Sequence, residues 1–421
     1  MSLAVIGAQL VGAGDEPVGL RSAADGTIAE LGAGVQAQPG DEVIDGAGMA
    51  LLPGFVNGHT HAAMTLFRGY ADDLPLMEWL ENHIWPAEAK LEAEDVYWGT
   101  RLACAEMIRT GTVRFWDMYW QPGATARAVS DAGLRVTIGA PLIDGGDAGG
   151  LEGLKRNAAE GLGELEGADE RFVAASLAPH AIYTVSPESL SWIAAESERL
   201  GLPVQIHISE TEREVQDCVA AHGVRPVELL ERVGLLGRRT LLAHAVWLDE
   251  REREMIAAAG STIVTNPAAN MKLAVGGSFD LPAARRHGIP TGLGTDGAGS
   301  NNSLDLLADA KHLALLQKHQ AADAAAVTAA ETLAIATGER APLLGGGELR
   351  EGGPADFLLV RTSSPELALG SLPAALIYAS SGSVIDTTVV AGRPLMQGGR
   401  IDGIDEVVAK ARERAARLGL R

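Results

Sequence analysis

The sequence predicts an α/β chain: a (β/α)8 TIM-like barrel with a small β-sandwich domain formed from both chain ends. Three observations carry this. Between residues 54 and 348, eight short β-branched or apolar runs alternate with stretches of helical period. The two ends share another texture, short strands broken by Gly and Pro. Histidines and carboxylates fall where the middle runs finish, which is where a barrel keeps its chemistry. A doubly wound sheet would give the same alternation, so the strand count alone leaves both architectures open.

The N-terminal runs are 3–11, 32–37 and 42–45. The C-terminal ones are 355–360 and 387–392, followed by an amphipathic helix over 406–418. Neither end holds enough strand to bury a core alone. The expected grouping is therefore 1–53 with 349–421 as one split β-domain, and 54–348 as the barrel. The barrel runs are 54–57, 112–116, 135–138, 172–177, 204–207, 240–244, 262–265 and 290–294. One helix between them is clear: Trp98, Leu102, Ala105 and Ile108 follow the i, i+4, i+7, i+10 stripe, and Gly111 closes it.

Composition narrows the function. The 421 residues carry a formal net charge of −21, which repels nucleic acids and anionic membranes and leaves a neutral or cationic small molecule as the partner. The two cysteines, Cys104 and Cys218, lie far apart and outside any C-x-x-C, which removes a disulfide framework or zinc ribbon and suits a reducing cytosol. No run approaches the ~20 apolar residues of a membrane span. A secretory signal is also lacking, so the expected location is cytoplasmic and Asn301-Asn302-Ser303 reads as a polar turn.

The strand ends hold the chemistry. The first barrel run finishes in His59-Thr60-His61, and residues i and i+2 of an extended segment face the same side. The fifth finishes in His207, with Glu210 three residues on; the sixth in His244; the eighth in Asp296. A His-x-His pair alone is more often core than ligand. The full set in strand order favours a catalytic metal, because three imidazoles and a carboxylate can hold Zn²⁺ or Fe²⁺ and leave room for water. The metal would bring that water's pKa towards ~7, with Glu210 and Asp296 as the proton-transfer groups.

Pro53-Gly54-Phe55-Val56-Asn57-Gly58-His59-Thr60-His61, His207-Ile208-Ser209-Glu210-Thr211, Ala243-His244 and Gly294-Thr295-Asp296-Gly297 together resemble the amidohydrolase superfamily. Within it the chain is similar to the 5′-methylthioadenosine/S-adenosylhomocysteine deaminases, over essentially its whole length. The resemblance implies a metal-dependent hydrolytic deaminase of an adenine nucleoside. It assigns His59, His61, His207 and Asp296 as metal ligands, and His244 as the group that orients the hydroxide. Glu210 would protonate the ring nitrogen, and Asp296 would pass a proton to the departing ammonia. Glu88 would accept ribose hydroxyls, Trp79 would line the pocket and His180 would touch the substrate. Binuclear members carry a modified lysine at the end of strand 4. Here that strand ends Leu177-Ala178-Pro179-His180, which implies one divalent metal per chain, zinc ahead of iron.

One departure bears on the substrate. Members that accept S-adenosylhomocysteine hold its carboxylate with arginines near the end of strand 3. Residues 138–147 have no arginine and carry Asp144 and Asp147, so a carboxylate tail finds no bidentate partner there. Methylthioadenosine, 5′-deoxyadenosine or adenosine is favoured, although Lys155 and Arg156 lie just downstream. The alternatives are hydrolysis of another heterocycle, such as 8-oxoguanine or a triazine, and a non-catalytic scaffold of the same fold, which the intact ligand set disfavours. A homo-oligomer is compatible with this reading.

Blander assignments compete. Glu88 could be a helix-surface carboxylate. Trp79 could be core, since five of the seven tryptophans lie between 79 and 120. His83, His222, His287, His312 and His319 read as solvated or structural. Gly292-Leu293-Gly294-Thr295-Asp296-Gly297 matches G-x-G-x-x-G, but Asp296 would put a carboxylate where a pyrophosphate needs amide donors. The absence of C-x-x-C excludes the zinc nucleobase-deaminase fold.

Overall fold

The computed structural model describes residues 2–14, 16–146 and 148–420. Five strands open the chain: β1 (Leu3–Leu10), β2 (Pro17–Ser22), β3 (Ile28–Gly32), β4 (Glu42–Asp45) and β5 (Met49–Pro53). Next come β6 (Phe55–Thr60), β7 (Thr112–Met118), β8 (Arg135–Gly139), the two-residue β9 (Pro141–Leu142) and β10 (Val173–Ala175). These form a parallel arc in the order β10-β8-β7-β6. A short β11 (Ala178–Pro179) pairs with β9. The second parallel arc is β12 (Val204–Ile208), β13 (Thr240–His244), β14 (Thr262–Thr265) and β15 (Thr291–Leu293), in that order.

The two arcs close on each other. On one seam, isolated parallel bridges join Leu177 to Val204 and Ala181 to His207. On the other, the Asp296 amide donates to the His59 carbonyl at 3.0 Å. There the Asn57 amide also donates to Thr295 Oγ1 at 2.7 Å, and Thr295 N to Asn57 Oδ1 at 3.1 Å. All eight expected runs are strands, parallel and closed, so the architecture is a (β/α)8 barrel rather than an open doubly wound sheet. Val56, Trp116, Leu241, Val264 and Leu344 fill part of its interior.

After the barrel, β16 (Phe357–Arg361), β17 (Ile385–Val390) and β18 (Arg393–Met396) return to the opening strands. The resulting eight-stranded sheet runs β18-β17-β16-β5-β1-β2-β3, with β4 paired to β1. Its core draws Leu3, Val5, Leu20, Ile44 and Leu51 from one end and Phe357, Leu359 and Val389 from the other, so each end completes what the other lacks.

Three local expectations differ. The run 32–37 is not a strand. The second hairpin strand is β3, already paired with β2, and Gly32 and Gly34 turn the chain at φ 152° and 89°. The helix Ala93–Thr110 ends at Gly111 as expected, but its buried face includes Val96, Ala103 and Met107. Trp98 lies on the outer flank, its indole donating to Glu94 at 2.8 Å. Ala105 and Ile108 of the expected stripe are on the buried face, whereas Trp98 and Leu102 lie at its partly exposed edge. The terminal helix Ile404–Leu418 packs on the barrel: Ala411, Leu418 and Leu420 join the cluster of Ala63, Met64, Leu66 and Trp79. Arg417 Nε then pairs with Asp95 at 3.1 Å. Both cysteines are free and buried, and among the described residues no helix is long and apolar enough to cross a membrane.

Candidate metal centre and pocket

The C-terminal strand ends converge on one point. His59 and His61 come from the end of β6, and their rings lie edge to face, 5.0 Å between centroids. His207, on β12, brings Nε2 to 3.3 Å from His61 Nε2. Asp296, three residues past β15, places Oδ1 3.2 Å from His61 Nε2 and 3.6 Å from His59 Nε2. Ser209, His244, Ala245 and Asp296 all have positive φ, at 49°, 70°, 51° and 63°. Such backbone is costly for residues with a Cβ and gathers where a site needs it.

Outer partners set the tautomers. His61 Nδ1 donates to the Met118 carbonyl at 2.6 Å, and His207 Nδ1 to the His180 carbonyl at 2.7 Å. Each bond leaves an Nε2 lone pair facing inward. Asp296 Oδ2 accepts from Ser300 Oγ at 2.6 Å, which leaves Oδ1 for the centre. Burial holds His59 and His207 well below the usual imidazole range, so both are neutral, the form that binds metal. Burial opposes charge on Asp296, but the imidazoles of His61, His244 and His59 outweigh it and hold the carboxyl well below its usual range.

The donors fit a divalent cation. His59 is fully buried, yet neither ring nitrogen has a hydrogen-bond partner. Two groupings, His59–His61–His207 and His59–His244–Asp296, each keep their ligand atoms within 4.8 Å of one another. A tetrahedral zinc site with bonds of about 2.1 Å has donor–donor edges of about 3.4 Å. The observed separations of 3.2, 3.3 and 3.6 Å match that spacing.

Around this centre lies a pocket that takes in every substrate-side residue the sequence singled out: Trp79, Glu88 and His180 line it, together with Glu210 and His244. Glu210 follows β12, 3.7 Å from His244 Nδ1, and burial raises its carboxyl pKa despite the pull of His244. Its backbone N–H and that of Ser209 both donate to the buried Glu214 carboxylate at 2.8 Å, which fixes the turn that aims it. Glu88 is partly buried and accepts from the Trp120 indole at 3.4 Å; burial raises its pKa as well. Gly294 has a local reason: a Cβ there would lie 2.3 Å from Asn266 Oδ1 and 2.9 Å from the His59 carbonyl. The glycine-rich match thus reflects close packing behind the metal donors.

Sequence reasoning missed Tyr119, Trp120, Ser300 and Asn270. The first two were within reach of the strand-end rule, because β7 runs on to Met118 and delivers Tyr119-Trp120 to the pocket lining. The expected role of Asp144 is corrected. Its carboxylate turns away from the pocket and accepts from Ser186 N at 2.9 Å, Ser186 Oγ at 2.6 Å and Gly146 N at 2.8 Å. Ile143, its neighbour, lines the wall instead. Asp147 lies outside the described residues. Lys155 pairs with Glu152 at 2.7 Å, and neither it nor Arg156 is among the lining residues.

A parallel barrel with an inward His/Asp donor set at its strand ends defines a metal-dependent hydrolase. The amidohydrolase family profile matches residues 50–395, and the chain belongs to that family, which makes it a hydrolase of C–N bonds. It is 45% identical over 411 residues to the 5'-deoxyadenosine deaminase of Methanoregula boonei, covering 96% of this chain and 93% of that one. It is 43% identical over 397 residues to the 5-methylthioadenosine/S-adenosylhomocysteine deaminase 1 of Archaeoglobus fulgidus, 93% of each chain. An adenosine deaminase from Xanthomonas campestris with bound zinc superposes with a TM-score of 0.92 and 34% identity, over 100% of this chain and 99% of that one.

Proposed function

We propose that the protein is a metal-dependent aminohydrolase that replaces the 6-amino group of an adenine nucleoside by oxygen. One water enters, and ammonia and the inosine analogue leave. Methylthioadenosine, 5′-deoxyadenosine and adenosine are preferred over S-adenosylhomocysteine. The observation that carries this is the pairing, in one pocket, of the metal donors and buried Glu210 with the Glu88 carboxylate. A nucleoside offers an amidine to the first and a diol to the second, and the relatives named above act on adenine nucleosides.

The centre takes one zinc ion per chain on His59, His61, His207 and Asp296, since strand β11 leads into His180 with no lysine in place to bridge a second. When bound, the ion supplies an activated water at neutral pH. The chain's own groups do the rest. Glu210, whose burial raises its carboxyl pKa and so favours the protonated form, donates to ring N1 and draws electron density off C6. His244 orients the attacking oxygen. The Asp296 carboxylate takes the proton released on attack and delivers it to the departing amine. Glu88 accepts the ribose hydroxyls, while Trp79 and His180 pack on the substrate and hold it in register.

The test is ammonia release over a panel of adenosine, methylthioadenosine, 5′-deoxyadenosine, S-adenosylhomocysteine, guanine, 8-oxoguanine and a triazine. Release from the adenine nucleosides with neutral 5′ groups is expected. Release confined to guanine, 8-oxoguanine or the triazine rejects the reading.

A further inference from the structure

The end of the barrel opposite the pocket carries a second concavity. A groove of about 440 Å³ opens where β6 and β7 begin, against the 338–350 loop and the return into β16. Arg114, on β7, lines it and is only partly exposed. Among the described residues no ion pair or hydrogen bond holds its guanidinium. The loop lies close above it: a Cβ on Gly345 would sit 3.2 Å from Arg114 Cζ.

The carboxylate nearest to hand is already engaged. Asp356 takes the Arg135 fork, with Nε at 2.6 Å and Nη2 at 3.1 Å, and also accepts from Ala391 N at 2.7 Å. Asp356 is thus forked to Arg135 and makes no ion pair with Arg114. Glu339 also lines the groove but lies 3.8 Å from Arg340, and the exposed Glu348 and Arg350 line it too. Burial, then the charge of Arg135, bring the Arg114 pKa down to about 10, which leaves it charged at neutral pH. Guanidiniums out of water are ordinarily paired. Among the described residues no carboxylate forms an ion pair with Arg114, and Asp356 acts on it only through space.

We infer that this groove binds a small oxyanion, a carboxylate or a phosphate, on the Arg114 fork. The planar guanidinium matches two anion oxygens at once. The bound anion would tie the barrel to the β-sheet formed by the two ends, far from the reacting centre, so its effect is on stability rather than turnover.

Thermal unfolding of the zinc-loaded full chain tests this, in phosphate and in acetate, each against sodium chloride at matched ionic strength. The wild-type midpoint should rise saturably with one of the two anions, and the anion that acts names the class. In Arg114→Met the half-saturating concentration should rise at least about tenfold, with Arg114→Lys in between. An equal response in wild type and Arg114→Met, or none beyond chloride, overturns the site. Should Arg114→Met fail to fold, wild-type crystals soaked in selenate decide. An anomalous peak within hydrogen-bond reach of the guanidinium supports the site, and its absence there overturns it.

Discussion

His244 directs Nδ1 at the Asn270 side-chain oxygen across 2.8 Å, from a left-handed backbone position at the end of β13. The proton sits on Nδ1, so the Nε2 lone pair faces the reacting centre. Asn270 touches no metal donor in the proposed set, so removing it should leave metal binding intact. We expect Asn270→Ala to lower kcat about 10–100-fold with little change in KM. Steady-state kinetics with metal analysis checks this. Loss of the metal would mean that Asn270 supports the donors rather than His244.

Glu210 is buried, and its carboxyl pKa is raised by that burial. An acid whose pKa is raised stays protonated to higher pH, so activity should fall as pH climbs through that pKa. Glu210→Gln cannot deliver the proton. Turnover should drop by about 10²–10⁴ while zinc is retained, and the alkaline limb owed to Glu210 should vanish with it. Near-wild-type turnover would remove Glu210 from the mechanism.

The barrel was legible because its strands are buried on both faces and so read as continuous apolar runs, whereas its helices carry the 3.6 period. The metal donors were legible because chemistry sits at strand ends. What the sequence hid was set by loop geometry and long-range contacts. Ser300 reaches Asp296 over only four residues but from a loop, where no helical period announces the contact, and Asn270 reaches His244 across 26 residues. Asp144 misled for the same reason, since its charge was visible but its capture by Ser186, 42 residues on, was not.

Glu214 gives a stability signature separate from catalysis. It is buried behind the Glu210 turn, and burial raises its pKa from 4.5 to about 7. The folded state therefore holds the proton over a range where the unfolded chain has lost it. Its contribution is fully present below pH 4.5 and is lost as pH rises through about 7. The whole swing is on the order of 3–4 kcal/mol at most, from 1.36 kcal/mol per unit. Glu214→Gln should remove that slope, so unfolding curves of wild type and variant should converge or cross as pH rises from 5 to 8. A constant offset across the range would show that Glu214 ionises no differently in the folded chain.

The pocket wall bears on the substrate's tail. Among the described residues no Arg or Lys lines the pocket, and Ile143, Tyr183 and Leu273 lie along it. Asp144, next to Ile143, is held by Ser186 outside the lining and offers a carboxylate tail no attraction. An amino-acid tail entering this wall would shed water from its carboxylate without meeting a guanidinium, forgoing a charge-assisted bond of about 1.5–3 kcal/mol. That is a factor of at least about ten in kcat/KM for methylthioadenosine over S-adenosylhomocysteine. Measuring both on one preparation checks it, and Ile143→Arg should narrow the ratio by restoring a cation at the wall. Equal values in the wild type would mean that a cation reaches the tail from outside this lining.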